Sequence, residues 1–159
     1  INVVQKLKSI GYVYDEVDGI SRFYKEDLLE LEFLTRVLGA GTAGKVEIKP
    51  LGITSEGLRA INILSDFARE IEVPATDGEK YTLIIPEPSA YVIQKILTNP
   101  DREPREKRAK DIAAVKELLY HIGKSTEHKI KFSEVYKRLS AKQLKIIKQV
   151  CEENQIVLP

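Results

Sequence analysis

The chain has 159 residues, 43% of them apolar, and a formal net charge of +1, which suits one compact unit with a real core. No apolar run reaches the roughly 18 to 20 residues that cross a bilayer, and no charged segment followed by a secretory apolar core stands at the N-terminus. The lone cysteine, Cys151, has no internal disulfide partner, so a soluble, cytoplasmic protein with a buried structural thiol is expected.

The sequence begins at Ile1 and contains no methionine, and a segment upstream of it is therefore expected. Charge is uneven along the chain. Residues 1–35 carry Asp15, Glu16, Asp18, Glu26, Asp27, Glu30 and Glu32 against four bases, whereas 129–149 carry seven bases against Glu134 alone. No aromatic ladder for stacked bases accompanies those lysines, so a solvated helix face is expected there.

Val3, Val4, Leu7 and Ile10 recur at helical spacing, and Gly11 stands where a helix stops. The period then changes to two: "YVYDEV" and "ISRFYK" predict strands, and "EDLLELEFLTRVL" predicts a longer one after a turn at Glu26 and Asp27, together an antiparallel meander. "GAGTAG", residues 39–44, satisfies the literal G-x-G-x-x-G pattern, but β-branched "KVEIKP" follows where a dinucleotide site needs a helix to open. A glycine loop is expected instead.

In "VEIKPLGI" Pro50 forbids a central ladder position, which predicts an edge or bulged strand. Thr54 or Ser55 is then expected to cap a short helix carrying Leu58, Ile61, Ile63 and Leu64. "REIEVPATDGEKYTLIIP" predicts a hairpin turning at Asp77-Gly78. Helices are expected over about 88–98, 104–122, 132–139 and 141–153, the last capped by Ser140. Strands first and helices last predict an α+β fold.

Two features carry chemistry. Side chains two apart on a strand share a face, so Glu30 and Glu32 project together while Leu29, Leu31 and Phe33 fill the other side. Carboxylate pairs suit hard divalent cations, with phosphates and water supplying the remaining oxygens; two hydrated surface acids are the alternative. On the 88–98 helix, Lys95 shares an arc with Tyr91 and Val92, so its ammonium leaves an apolar surface and requires an anion, either a carboxylate or a nucleotide phosphate. On the next helix Ile112, Val115, Leu119 and Ile122 form the buried stripe. Asp111 lies at its margin with Lys107 and Arg108 one turn back, and Lys110 faces away.

"RFYKEDLLELEFLT", "LGITSEGLRAINIL", "IPEPSAYVIQKIL" and "REKRAKDIAAVKELL" together resemble the later part of prokaryotic nucleotidyltransferase-like proteins of the DNA polymerase beta superfamily, over about residues 1–120. The resemblance rests on an E-h-E-F-L strand (Glu30, Leu31, Glu32, Phe33, Leu34), a P-x-x-x-x-h-x-K helix (Pro88, Lys95) and a K-D helix (Lys110, Asp111). It implies a mixed, mainly antiparallel nucleotidyltransferase-like sheet followed by a helical C-terminal part, with 1–86 as the remaining core and 87–159 as the helical region.

By the same resemblance, Mg2+ or Mn2+ is the cofactor and an NTP the substrate, with RNA or protein as acceptor and no membrane. Glu32, with Glu30, would be metal ligand or acceptor-activating acid, Lys95 and Lys110 would contact phosphates, and Asp111 would orient Lys95 or Arg108. The superfamily's Gly-Ser turn and two aspartates are expected upstream of Ile1, so the 159-residue chain alone is expected to be catalytically silent. A non-catalytic nucleic-acid or partner-binding module of this fold, and the toxin of a toxin-antitoxin pair, are the alternatives.

Overall fold

The computed structural model describes residues 2–26, 30–37, 44–76 and 78–159. The chain divides into two compact units, Ile1–Ile61 and Asn62–Pro159. Together they give the expected α+β fold, with small, mainly antiparallel sheets and helices in the C-terminal part.

In the first unit, α1 (Val3–Ser9) opens with the Asn2 side chain accepting the Gln5 backbone N–H at 3.1 Å. β1 (Val13–Val17) and β2 (Ile20–Tyr24) pair antiparallel, from Val13↔Tyr24 to Val17↔Ile20. Asp18 and Gly19 make the two-residue turn at φ 52° and 68°, the left-handed pair that matches strand twist in tight hairpins.

The expected long strand from Glu26 is two short ones where it is described. β3 (Leu31–Glu32) pairs antiparallel with β2, whereas β4 (Leu34–Arg36) pairs parallel with β6 (Ile53–Leu58) in a second sheet of order β4-β6-β5, so the continuous antiparallel meander is corrected. Phe33 is the switch. Its carbonyl accepts the Glu56 N–H at 3.2 Å and its ring meets Phe23 edge-on at 5.7 Å, which draws the chain from one ladder to the other. The two sheets are tied by the Thr54 N–H, which donates to Ser21 Oγ at 2.9 Å beside the fully buried Phe23.

Two further expectations change. β5 (Gly44–Ile48) is an edge strand as expected, but Pro50 stands outside it in a 3-10 turn, Lys49–Leu51. Thr54 and Ser55 cap no helix; they lie inside β6, the central strand, and α2 is only Asn62–Asp66. β6 buries Ile53, Ser55 and Gly57 on alternate positions, so its period of two is real but written in small residues. Gly57 is required by close approach: a Cβ there would stand 2.9 Å from the Gly44 carbonyl oxygen. Most of the glycine stretch, residues 39–43, lies outside the described residues; Gly44 opens a strand, not the helix a dinucleotide site needs.

In the second unit, β7 (Ala68–Pro74) and β8 (Lys80–Pro86) form the expected hairpin, with Ile71↔Leu83 and Val73↔Tyr81 facing across it. Asp77 lies outside the described residues, and Gly78 has φ 85°. α3 (Pro88–Thr98) buries Ala90, Val92, Ile93, Ile96 and Leu97 and is the central helix. Against it pack α4 (Arg105–Gly123), α5 (Thr126–Lys137) and α6 (Ala141–Asn154), which contribute the Ile112/Val115/Leu119/Ile122 stripe, Phe132 and Val135, and Ile147 and Val150. α5 starts one and a half turns before the expected 132, because Ser125 accepts the His128 N–H and caps it. Ser140 caps α6 as expected, within a capping box completed by Gln143.

Candidate functional site

Glu30 and Glu32 are both exposed while Leu31 and Phe33 are half-buried, so the strand alternates as its sequence implies. The β2–β3 register sets Arg22 directly opposite Glu32. From there its guanidinium reaches both acids, Nη1 to Glu30 Oε1 at 3.2 Å and Nη2 to Glu32 Oε1 at 3.3 Å. Arg22 is pushed above the ordinary arginine range, first by the Tyr24 side chain and then by the charges of Glu32 and Glu30. It is an intramolecular cation between two carboxylates, and sequence reasoning misses it, although antiparallel pairing of β2 with the strand that follows sets it opposite the acid-bearing segment.

Lys95 points toward an acid. Its ammonium donates to Asp111 Oδ1 at 3.0 Å and lies 5.4 Å from the Tyr91 ring centroid. The second cation on Asp111 is Arg102, Nε to Oδ2 at 3.4 Å, in place of the expected Arg108. The side chains of Lys95 and Asp111 are 19% and 12% exposed, so the pair is largely withdrawn from water. Arg108 instead offers its backbone carbonyl to Asn99 Nδ2 at 3.2 Å. Lys110 is exposed. Glu30 and Glu32 thus belong to the first unit, and Lys95, Lys110 and Asp111 to the second.

Among the described residues no group of three or more His, Cys, Asp or Glu side chains surrounds a possible metal position. Glu30 and Glu32 fit a divalent cation in donor chemistry, as hard carboxylate oxygens on one accessible face, and two carboxylates are what Mg2+ takes when phosphates and water complete its shell. Arg22 would have to yield both oxygens for that to happen.

The basic stretch 129–149 behaves as a helix surface. Lys131 pairs with Glu134 at 3.3 Å, Lys148 with Glu152 at 3.9 Å, and the Arg138 guanidinium stands 5.1 Å from the Phe67 ring centroid. No described helix is long and apolar enough to cross a membrane. A family model described as Nucleotidyltransferase matches residues 4–139. No curated protein and no solved structure matches the chain.

Proposed function

The chain belongs to the nucleotidyltransferase family, and from that premise we propose that it binds an NTP with Mg2+ or Mn2+ and takes part in moving a nucleotidyl group to an RNA or protein acceptor in a prokaryotic cytoplasm. The family match carries the proposal, because its span includes Glu30, Glu32, Lys95, Lys110 and Asp111.

Glu32, seconded by Glu30, supplies carboxylate oxygen on an accessible strand face, and Arg22 bridges the two side chains until a stronger cation competes for them. A divalent ion bound there would neutralise phosphate charge. Lys95 is proposed as a phosphate contact oriented by Asp111; an ammonium has three donors, so the Asp111 bond leaves others for a ligand. Lys110 is proposed as a second, exposed phosphate contact. Residues 1–86 are proposed as nucleotidyltransferase core and 87–159 as its helical region.

The full-length protein, incubated with each labelled NTP, Mg2+ or Mn2+ and a mixture of RNA and protein acceptors, tests this. Transfer is expected, and Glu32→Gln is expected to abolish it without loss of fold. Transfer undiminished by Glu32→Gln and by Glu30→Gln would remove both carboxylates from the chemistry.

A further inference from the structure

A cavity of about 360 Å3 lies in the second unit between the start of α4 and the end of α6, walled by Asn99, Arg105, Arg108, Glu153 and Asn154. Arg105 and Arg108 stand three apart on one helix, where like charges are neighbours and repel. Neither has an ion-pair partner among the described residues. Asp111, the acid one turn beyond Arg108, is engaged by Lys95 and Arg102. Glu153, the acid in the cavity wall, accepts the Gln149 amide at 2.8 Å.

The asparagines complete the pattern. Asn99 is 2% exposed and donates through Nδ2 to the Arg108 carbonyl, and Asn154 donates through Nδ2 to the Val150 carbonyl at 2.8 Å. Those bonds fix both amides, with their oxygens left as acceptors. Two of the lining residues carry guanidiniums, whose forked donors match phosphate oxygens. Three others, Asn99, Asn154 and Glu153, carry acceptor oxygens suited to hydroxyl or amine groups. The volume is in the lower part of the range for small-molecule sites, about 300 to 1,000 Å3.

We propose that this cavity binds a nucleoside 5′-phosphate, either free or as the terminal nucleotide of an RNA strand, with Arg105 and Arg108 on the phosphate and Glu153, Asn99 and Asn154 toward the sugar and base. The proposal stands on the helical unit alone and holds whether or not Glu32 proves to be a metal ligand.

Calorimetric titration of the protein, without divalent metal, with AMP, adenosine, inorganic phosphate and a 5′-phosphorylated trinucleotide tests it. AMP is expected to bind at least about tenfold more tightly than adenosine, as the loss of charge-assisted bonds to two arginines implies. A trinucleotide that binds more tightly than AMP would assign the strand end, and the reverse order the free nucleotide. Arg105→Gln with Arg108→Gln should cost about tenfold or more in AMP affinity. Lys142→Gln with Lys145→Gln, the same charge change on the exposed face of α6, should cost nothing comparable. Ala109→Phe, which fills the cavity from an exposed helix position and keeps both charges, should block AMP if the double arginine variant fails to fold. Equal binding of AMP and adenosine, an equal loss in the lysine control, or full AMP affinity in Ala109→Phe would each overturn the assignment.

Discussion

Arg22 and Asp111 each gather two side chains of opposite charge, one in each unit, yet their surroundings differ in a way that separates their roles. Arg22 sits between Glu30 and Glu32 with all three side chains about one-third exposed or more. Asp111 sits between Lys95 and Arg102 at 12% exposure. Water screens the first cluster, so its ion pairs contribute little to stability and its carboxylates can change partners at small cost. The second has lost most of that solvation, so removal of its central charge strands an ammonium in an apolar setting. Accessible acids can serve chemistry; the withdrawn acid first serves the packing of α3 on α4.

The largest effect that would test this contrast is on Asp111. Asp111→Asn should destabilise the protein by about 2 to 3 kcal/mol in urea unfolding, below the roughly 3 to 5 of a fully buried broken pair because water still reaches Arg102, 40% exposed. Lys95→Met should cost less, since Asp111 then keeps Arg102. Equal losses, or a loss under about 0.5 kcal/mol for Asp111→Asn, would erase the distinction between the clusters.

A smaller change is expected at the other cluster. Arg22→Gln should lower stability less than Asp111→Asn does, while Mn2+ affinity rises, because the two carboxylates lose their internal counter-ion and repel each other until a cation is bound. Unchanged or weaker Mn2+ binding, seen by calorimetry, would mean that Arg22 does not compete with metal for these oxygens.

Smallest is the contribution of Cys151, buried on α6, whose thiol is pushed up by burial and secondarily by the Glu152 charge. A thiol with a raised folded value keeps its proton longer in the native state than in the unfolded one. Its contribution is therefore fully present below the ordinary thiol pKa of about 8.5 and is lost as pH rises past it. Stability measured from pH 7 to 10 should fall less steeply in Cys151→Ala than in the wild type. Parallel curves would show that the thiol adds nothing to the slope.

How far the sequence reveals the fold depends on how its faces are written. α3, α4 and α6 are legible because long apolar stripes and the Ser140 cap mark them. β6 is not, since Ser55 and Gly57 on its buried face hide the alternation and its own Thr54 and Ser55 imitate a helix cap. The first turns of α5, "TEHKIK", have too little apolar periodicity to announce themselves. The break at Phe33 depends on a ladder to β6 more than 20 residues away in the chain, which no local pattern encodes.

The charged groups divide in the same way. That Lys95 would need an acid follows from one apolar helix arc, and Asp111 supplies it. Arg102 comes from the "NPDREP" connection, whose path depends on tertiary packing and leaves no periodic signal. Arg22 was within reach, since β2 must pair with the strand that follows it.

In the proposed function Glu32 serves a metal ion and not the fold. Calorimetric titration of wild type and Glu32→Gln with Mn2+ in the presence of an NTP, alongside thermal unfolding of both, addresses it most directly. The expected result is Mn2+ affinity lower by about tenfold or more in the variant, with stability within about 0.5 kcal/mol of wild type. Equal Mn2+ affinity in the two proteins, or weakened binding accompanied by a large loss of stability, would contradict it.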